Sequence, residues 1–325
     1  MLIPILLFVL GLICLIKGGD WFVDGATGIA KRFHVPDLLI GATVVSIGTT
    51  LPEVMVSSTS AVQGISSIAY GNAIGSIICN ASLILAITVA IAPSVVDRSS
   101  LVLPVIFFFT SAVFYAGIAY TSGNFTRVSG ILLLLICAVY MFILIKKAVS
   151  ESKLSVTSAS EPEDNGKEKK LIVEIVLLVI GAALIAVGAK LLVDNGTIIA
   201  KEMGVPETVI ALTFVALGTS LPELVTAIVS LVKGHGALSL GNIIGANIFN
   251  LVLVSGMAIT LNPFSIPAEK QIAGMNASLI VDVPMMFIVM ILATIPTLLT
   301  GKLKRYQGIL LLALYAGYCV FQFIN

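Results

Sequence analysis

The chain has 325 residues, of which 58% are hydrophobic and 11% charged, with a net charge of +1 and a mean hydropathy of +1.12. Soluble domains carry about a quarter charged residues, so this composition excludes a water-soluble globular protein. The near-zero net charge argues against a nucleic-acid-binding surface or an acidic tail.

The chain opens on an apolar run with no basic n-region and no small-residue cleavage site, which reads as a retained span. A helix needs about 20 apolar residues to cross the hydrocarbon. Runs of that kind lie near 2–30, 37–62, 68–94, 101–121, 127–148, 170–199, 206–232, 237–261, 278–299 and 306–323, which predicts ten spans. Between the fifth and sixth lies 149–169, a stretch of Ser, Pro, Asn, Gly and mixed charge with few large apolar residues, expected as a flexible solvent-exposed linker. The four cysteines, Cys14, Cys79, Cys137 and Cys319, are far apart in apolar runs and read as small buried hydrophobes rather than a metal knuckle or disulfide framework.

Ten spans put alternate loops on alternate sides. One side collects Lys31, Arg32, Arg98, Lys146, Lys147, Lys153, Lys167, Lys169, Lys170, Lys233, Lys302, Lys304 and Arg305, and the other only Arg127, Lys201 and Lys270. The positive-inside rule makes the first side cytoplasmic. Both termini then face outward and the linker faces the cytosol.

Residues 24–80 align with 194–250 at a constant offset of 170 without a gap, and 24 of the 57 pairs are identical. Shared apolar alphabet does not align Asp24 with Asp194, Pro36 with Pro206, Gly71 with Gly241 and Asn80 with Asn250. The predicted organisation is an all-α membrane protein of two five-helix repeats, 1–148 and 170–325, joined by the linker. An odd number of spans per copy makes the copies inverted, an architecture that places a substrate site at their interface near the midplane.

The strongest match pairs SIGTTLPE (46–53) with ALGTSLPE (216–223). Each copy sets a glutamate, Glu53 or Glu223, deep in an apolar span, where a carboxylate is costly unless paired or ligated. Pro52 and Pro222 lack an amide hydrogen and free a carbonyl near Gly48 and Gly218, a helix break tolerated in lipid where it lines a cavity or binds an ion. Thr49, Thr50, Thr219 and Ser220 precede the glutamates by one turn and share their face.

The second match pairs GNAIGSIICN (71–80) with GNIIGANIFN (241–250). Ser76 and Asn80 stand four apart on one helix face, as do Ala246 and Asn250, while Gly71, Gly75, Gly241 and Gly245 allow close helix approach. Carboxylates, carboxamides, hydroxyls and carbonyls form an all-oxygen set that suits hard cations such as Ca²⁺ and Na⁺ rather than Zn²⁺ or Cu⁺.

The doubled GT[ST]LPE and GN-x-x-G-x-x-x-x-N segments resemble the α-repeats of the sodium/calcium exchanger family, within the cation/calcium antiporter superfamily, over both halves of the chain. The resemblance implies ten helices, inverted repeats and outward termini. It implies Glu53 and Glu223 as central Ca²⁺ ligands shared with Na⁺, with oxygens from Thr49, Thr50, Thr219 and Ser220. It further implies main-chain carbonyls from Ser46 and Ala216, with Ser76, Asn80 and Asn250 completing the set. The implied transport is Na⁺/Ca²⁺ antiport by alternating access in a multi-pass protein of the cell membrane, without a cofactor, a nucleic-acid ligand or an obligatory protein partner. Two positions depart from the family pattern. Ala246 stands where many members carry serine, and Asn250 stands where potassium-dependent relatives carry aspartate.

Other polar residues take plainer readings. Asp282 and Glu174 lie near helix ends without a counterpart and read as interfacial. Asp20, Asp24, Lys190 and Asp194 sit toward the ends of spans one and six. His34 and His235 read as exposed residues of short connections, and Trp21 as an interface anchor. An intramembrane protease is disfavoured, because no G-x-S-x-G serine with a membrane histidine and no aspartate pair is present. The closer rivals are Ca²⁺/H⁺ and K⁺-dependent antiporters of the same superfamily.

Overall fold

The chain folds almost entirely into helices, joined by short connections with a few two-residue strand pairs; the computed structural model describes residues 2–156, 165–204, 218–268 and 271–324. In chain order the helices are α1 (Leu2–Arg32), α2 (Asp37–Val62), α3 (Ser66–Ile91), α4 (Arg98–Thr121) and α5 (Arg127–Val156). They continue as α6 (Asn165–Glu202), α7 (Leu221–Val232), α8 (Gly236–Leu261), α9 (Ser278–Thr300) and α10 (Arg305–Ile324). Among the described residues, eight helices are long and apolar enough to cross a membrane. The expected seventh span, 206–232, is described only from residue 218 onward, so Ala216 lies outside the described residues. Helix α5 runs on to Val156 and α6 begins at Asn165, so both flanks of the polar stretch 149–169 are helical rather than loop.

The repeat seen in the sequence recurs in the backbone. Ser66–Cys79 and Gly236–Phe249 are α-helical, Asn80–Ile84 and Asn250–Val254 are π-helical turns, and Leu85–Ile91 and Ser255–Leu261 return to α-helix. Each pair is displaced by 170 residues at both ends. A π-turn carries one extra residue per turn and is frequent at functional sites; here each opens on the asparagine that closes the repeated motif.

The short strands cross between the halves. Ser94–Val95 (β1) pairs antiparallel with Lys302–Leu303 (β6), and Asn124–Phe125 (β2) with Phe264–Ser265 (β3). A local hairpin joins Gln271–Ile272 (β4) to Met275–Asn276 (β5).

In lipid, helices associate through packing and hydrogen bonding rather than hydrophobic burial, and small residues set the closest approaches. Gly11 and Gly18 of α1 lie against Gly188 and Gly181 of α6, with a built Cβ 2.9 Å from the facing carbonyl in each case. Gly241 of α8 packs on the Leu38 carbonyl, and Gly245 on Ala42 and the Ser46 hydroxyl of α2. A side chain at any of these would force the helices apart. Behind them Tyr115, Tyr140, Phe108, Phe125 and Phe249 fill the centre, with Tyr140 and Phe249 rings 6.0 Å apart. Large apolar side chains such as Leu2, Met55, Val62 and Val232 point outward, the inverse of a soluble surface. Trp21 is also exposed on α1.

Candidate functional site

Four helices supply the buried polar cluster: α2 and α7 bring the glutamate motifs, α3 and α8 the asparagine motifs. Glu53, Glu223, Asn80 and Asn250 are each fully buried, as are Ser46 and Thr50. Thr49, Ser76 and Ser220 are buried and Thr219 is half-buried. The two copies approach the motif differently. Helix α2 carries a π-turn at Gly41–Val45 and then continues as α-helix from Ser46 through Pro52. In the second copy the described helix starts at Leu221 and Pro222 falls in its first turn, where a missing amide hydrogen leaves no helical bond unmade.

The hydroxyls link the copies. Thr50 donates to Oε1 of Glu223 at 3.4 Å, so the two glutamate motifs meet. Ser220 donates to the Ser76 hydroxyl at 3.5 Å. Thr49 donates to Oδ1 of Asn242 at 3.2 Å and to the Ser46 carbonyl at 3.4 Å. Thr219 donates to Oδ1 of Asn72 at 3.2 Å. Asn72 donates from Nδ2 to the Glu53 carbonyl at 3.1 Å and to the Ser57 hydroxyl at 2.8 Å.

Asn72 and Asn242 were not singled out in the sequence, and both belong to the cluster. The signal was available: Asn72, Ser76 and Asn80 are spaced four apart, as are Asn242, Ala246 and Asn250, so each trio lies along one helix face.

What remains unbonded is as informative. Among the described residues neither carboxylate oxygen of Glu53, nor Oε2 of Glu223, has a hydrogen-bond partner, and the amides of Asn80 and Asn250 lack one at both ends. Buried polar atoms are overwhelmingly paired in native proteins, and an uncompensated buried carboxylate costs several kcal/mol. Two carboxylates surrounded by amide and hydroxyl oxygens are a donor set that a hard cation completes. No group of three or more His, Cys, Asp or Glu side chains gathers among the described residues. One sulfur does border the set: Cys79 lies against Ser220 and takes a contact from the Tyr315 hydroxyl at 3.9 Å.

A cavity of about 890 Å³ between α2 and α6 reaches Gly48, Pro52 and Thr219, with Lys190 and Asp194 on its α6 wall. On the opposite pairing α1 lies tight on α7, where a Cβ at Gly19 would stand 2.7 Å from Val225. The polar cluster is therefore approached on one side and packed on the other.

The remaining charges are mostly engaged. Arg32 and Glu174 form a bidentate pair at 2.8 and 3.1 Å that ties α1 to α6, so Glu174 is a tether rather than simply interfacial. Asp24 pairs with Lys233 at 2.8 Å while its sequence counterpart Asp194 pairs with Lys190 at 3.3 Å, so the matched aspartates do different things. Lys233 also donates to the Asp20 carbonyl at 2.9 Å. His235 is not the exposed loop residue expected: its Nδ1 lies 2.8 Å from Oδ2 of Asp37, joining the starts of α8 and α2. Asp282 accepts from the Tyr318 hydroxyl at 3.1 Å and from Nε2 of Gln322 at 3.2 Å.

The family model for the sodium/calcium exchanger protein matches residues 3–146 and 173–324. The chain belongs to that family. It is an integral, multi-pass membrane protein and not an enzyme. An uncharacterized membrane protein of Methanocaldococcus jannaschii, MJ0091, is 36% identical over 309 residues, covering 95% of this chain and 94% of that protein. The sodium/calcium exchanger MaX1 of Methanosarcina acetivorans is 31% identical over 350 residues, covering 98% of both chains. Among solved structures, the sodium-calcium exchanger NCX_Mj soaked with 10 mM Na⁺ and 10 mM Sr²⁺ superposes with a TM-score of 0.80 at 33% identity, covering 97% of each chain. This exchanger-family member thus shares its fold along nearly its whole length with a structure of that family.

Proposed function

We propose that this chain is a secondary antiporter that exchanges Na⁺ for Ca²⁺ across the cell membrane by alternating access. The carrying observation is the pair of fully buried glutamates, Glu53 and Glu223, from matched motifs, with three of their four carboxylate oxygens unpartnered among the described residues. The cation ligands are Glu53 and Glu223, with Thr49, Thr50, Thr219, Ser220, Ser76, Asn80 and Asn250 and the carbonyls of Ser46 and Ala216. Ten spans in two inverted repeats, 1–148 and 170–325, place these residues at the repeat interface. Equal displacement of the paired α- and π-helical elements supports that reading. Both termini face outward and 149–169 faces the cytosol, as the lysine and arginine distribution indicates.

The shared carboxylates make exchange the natural mode. One Ca²⁺ or two Na⁺ neutralise both, so full occupancy by both ions at once is disfavoured, and each ion leaves as the other arrives. Coordinating oxygens replace the hydration shell, which lets a charged species sit at the membrane's centre.

Reconstitution into liposomes tests the reading. An outward Na⁺ gradient drives Ca²⁺ uptake, whereas a pH gradient of equal size does not. Uptake driven by the pH gradient alone would assign the chain to the Ca²⁺/H⁺ branch, and a requirement for K⁺ to the potassium-dependent one.

A further inference from the structure

We infer that a groove between α4 and α5 binds one anionic phospholipid, its acyl chain in the groove and its phosphate at Lys146 and Arg98. The groove has a volume of about 360 Å³ and is lined by Ile106, Thr110 and Phe114 of α4 with Leu132, Leu135 and Val139 of α5. Thr110 is the one polar side chain in the lining, and its neighbours Ile106, Leu132, Leu135 and Val139 are exposed at the protein's outer surface. An apolar concavity facing the bilayer accommodates hydrocarbon, and charge at one end decides which lipid fills it.

Helix periodicity leads from the groove to that charge. Leu132, Val139 and Lys146 are seven apart, two helical turns each, so Lys146 continues the groove face of α5. On α4, Ile106 and Ser99 are also seven apart, and the Ser99 carbonyl accepts from Lys147 at 2.7 Å. Lys146 is exposed at that rim. The β1–β6 pairing, with Val95 opposite Lys302, brings a third segment to the same end. Gly301, held at φ 68° in the left-handed region, lets that segment turn, and the Arg98 guanidinium lies over it. Lys302, Lys304 and Arg305 follow, all exposed, and Arg305 donates to the Ile91 carbonyl at 3.3 Å. Residues 94–99, 146–147 and 301–305 therefore hold six cations and one carboxylate, Asp97, which is engaged by Ser99 and Ser100.

The depth also fits. At 1.5 Å per residue the groove begins about 12 Å from Arg98 and extends about 12 Å further. Phosphates lie about 20 Å from the midplane of a bilayer whose hydrocarbon is about 30 Å thick. The groove thus runs from about 8 Å short of the midplane to about 4 Å past it, the depth reached by the acyl tails of lipids whose headgroups meet the basic cluster. The positive-inside rule accounts for cations at this end, but not for a lipid-facing groove aligned with one of them. Basic pockets between spans are where anionic headgroups dock.

Native mass spectrometry of the purified full chain tests this, with phosphatidylglycerol and phosphatidylcholine of matched acyl chains as probes. The parent should retain phosphatidylglycerol preferentially. Arg98→Gln with Lys146→Gln should reduce that preference about tenfold. Val139→Trp, which fills the groove and keeps every charge, should reduce retention of both lipids. A melting-temperature rise on adding phosphatidylglycerol should disappear in the same variants, and dihexanoyl-phosphatidylglycerol, whose chains are too short for the groove, should not compete. Equal retention of the two lipids by the parent, or competition by the short-chain lipid, would overturn the proposal. So would a preference unaltered in the charge variant.

Discussion

Thr49 of the first half donates to Oδ1 of Asn242 in the second at 3.2 Å, and Thr219 of the second donates to Oδ1 of Asn72 in the first at the same distance. The two bonds relate positions displaced by 170 residues, so one reciprocal contact is made twice. Each fixes a hydroxyl one turn before a glutamate, and each spans the boundary between halves. A hydroxyl whose proton is committed to an amide oxygen keeps its lone pairs free, which is what the proposed cation site requires of it.

Replacing either asparagine with alanine should free that hydroxyl and leave it to bond locally in its own helix. Loss of one buried hydrogen bond of this type is worth about 1 kcal/mol, with a further penalty for the stranded partner. Asn72→Ala and Asn242→Ala are each expected to slow Na⁺-driven Ca²⁺ flux about tenfold while melting only a few degrees lower. Parental flux in both variants would show that the threonines are oriented by other contacts.

Glu53→Gln and Glu223→Gln each remove one of the site's two formal charges. A neutral amide is cheaper to bury than a carboxylate, so both variants should express and fold at least as well as the parent. Ca²⁺ transport should vanish in each. Measured ⁴⁵Ca²⁺ uptake close to that of the parent in either variant would remove that glutamate from the coordination set.

The glutamates could be read from sequence because carboxylates in apolar runs have few structural uses, and the offset repeat tied them together. The π-turns at Asn80–Ile84 and Asn250–Val254 could not, since no local residue pattern there differs from ordinary helix. Asn72 and Asn242 were visible on the same face as Asn80 and Asn250, but their partners lie 147 and 193 residues away and only the folded chain supplies them. The His235 contact escapes the sequence for the same reason: a short connection looks solvated until the start of α2 brings Asp37 within 2.8 Å.

Ala246 occupies the position matched to Ser76, and it is fully buried. In the first half Ser76 accepts from Ser220; in the second, Thr50 has no such serine at the matched position and bonds Glu223 instead. Ala246→Ser should therefore supply an additional oxygen and compete for the Thr50 hydroxyl. Half-maximal Na⁺ activation of Ca²⁺ efflux should fall to lower Na⁺, with little change in Ca²⁺ affinity. A Na⁺ titration that superposes on the parent's would mean the shell was already complete.

Asp97 caps α4 from outside the membrane-spanning segment. Its carboxylate accepts from the Ser99 hydroxyl at 2.6 Å and the Ser100 hydroxyl at 2.8 Å, and from both backbone amides. The Ser99 hydroxyl, followed by the other donors, holds this carboxyl below the usual carboxylate range. A depressed carboxyl stabilises the fold above its unfolded value of about 4, and that contribution fades as pH falls through the folded value. Asp97→Ala should cost about 1 kcal/mol of helix capping at neutral pH. The gap between parent and variant melting temperatures in detergent should narrow below about pH 4, and a pH-independent gap would mean the carboxylate's charge plays no part in the cap.

Asparagine at both 80 and 250 keeps the site at two negative charges, which one Ca²⁺ or two Na⁺ balance. A third Na⁺ would carry net charge across the membrane. Resemblance to the exchanger family favours that electrogenic mode, and the amides of Asn80 and Asn250, unbonded among the described residues, with the hydroxyls of Thr49 and Thr219, would provide oxygens to solvate it. Recording current across a membrane bearing the reconstituted protein decides: Na⁺-driven Ca²⁺ flux should come with net current, and flux without current would establish neutral exchange. Asn250→Asp then adds a third acid beside the bound cations. Its ionised form gains from those cations, and its neutral form reproduces the amide's shape. Transport by the variant should acquire a dependence on pH or on K⁺ that the parent lacks, measured as Ca²⁺ uptake at fixed Na⁺ gradient. A variant that transports like the parent at every pH and K⁺ concentration would place residue 250 outside the ions' reach.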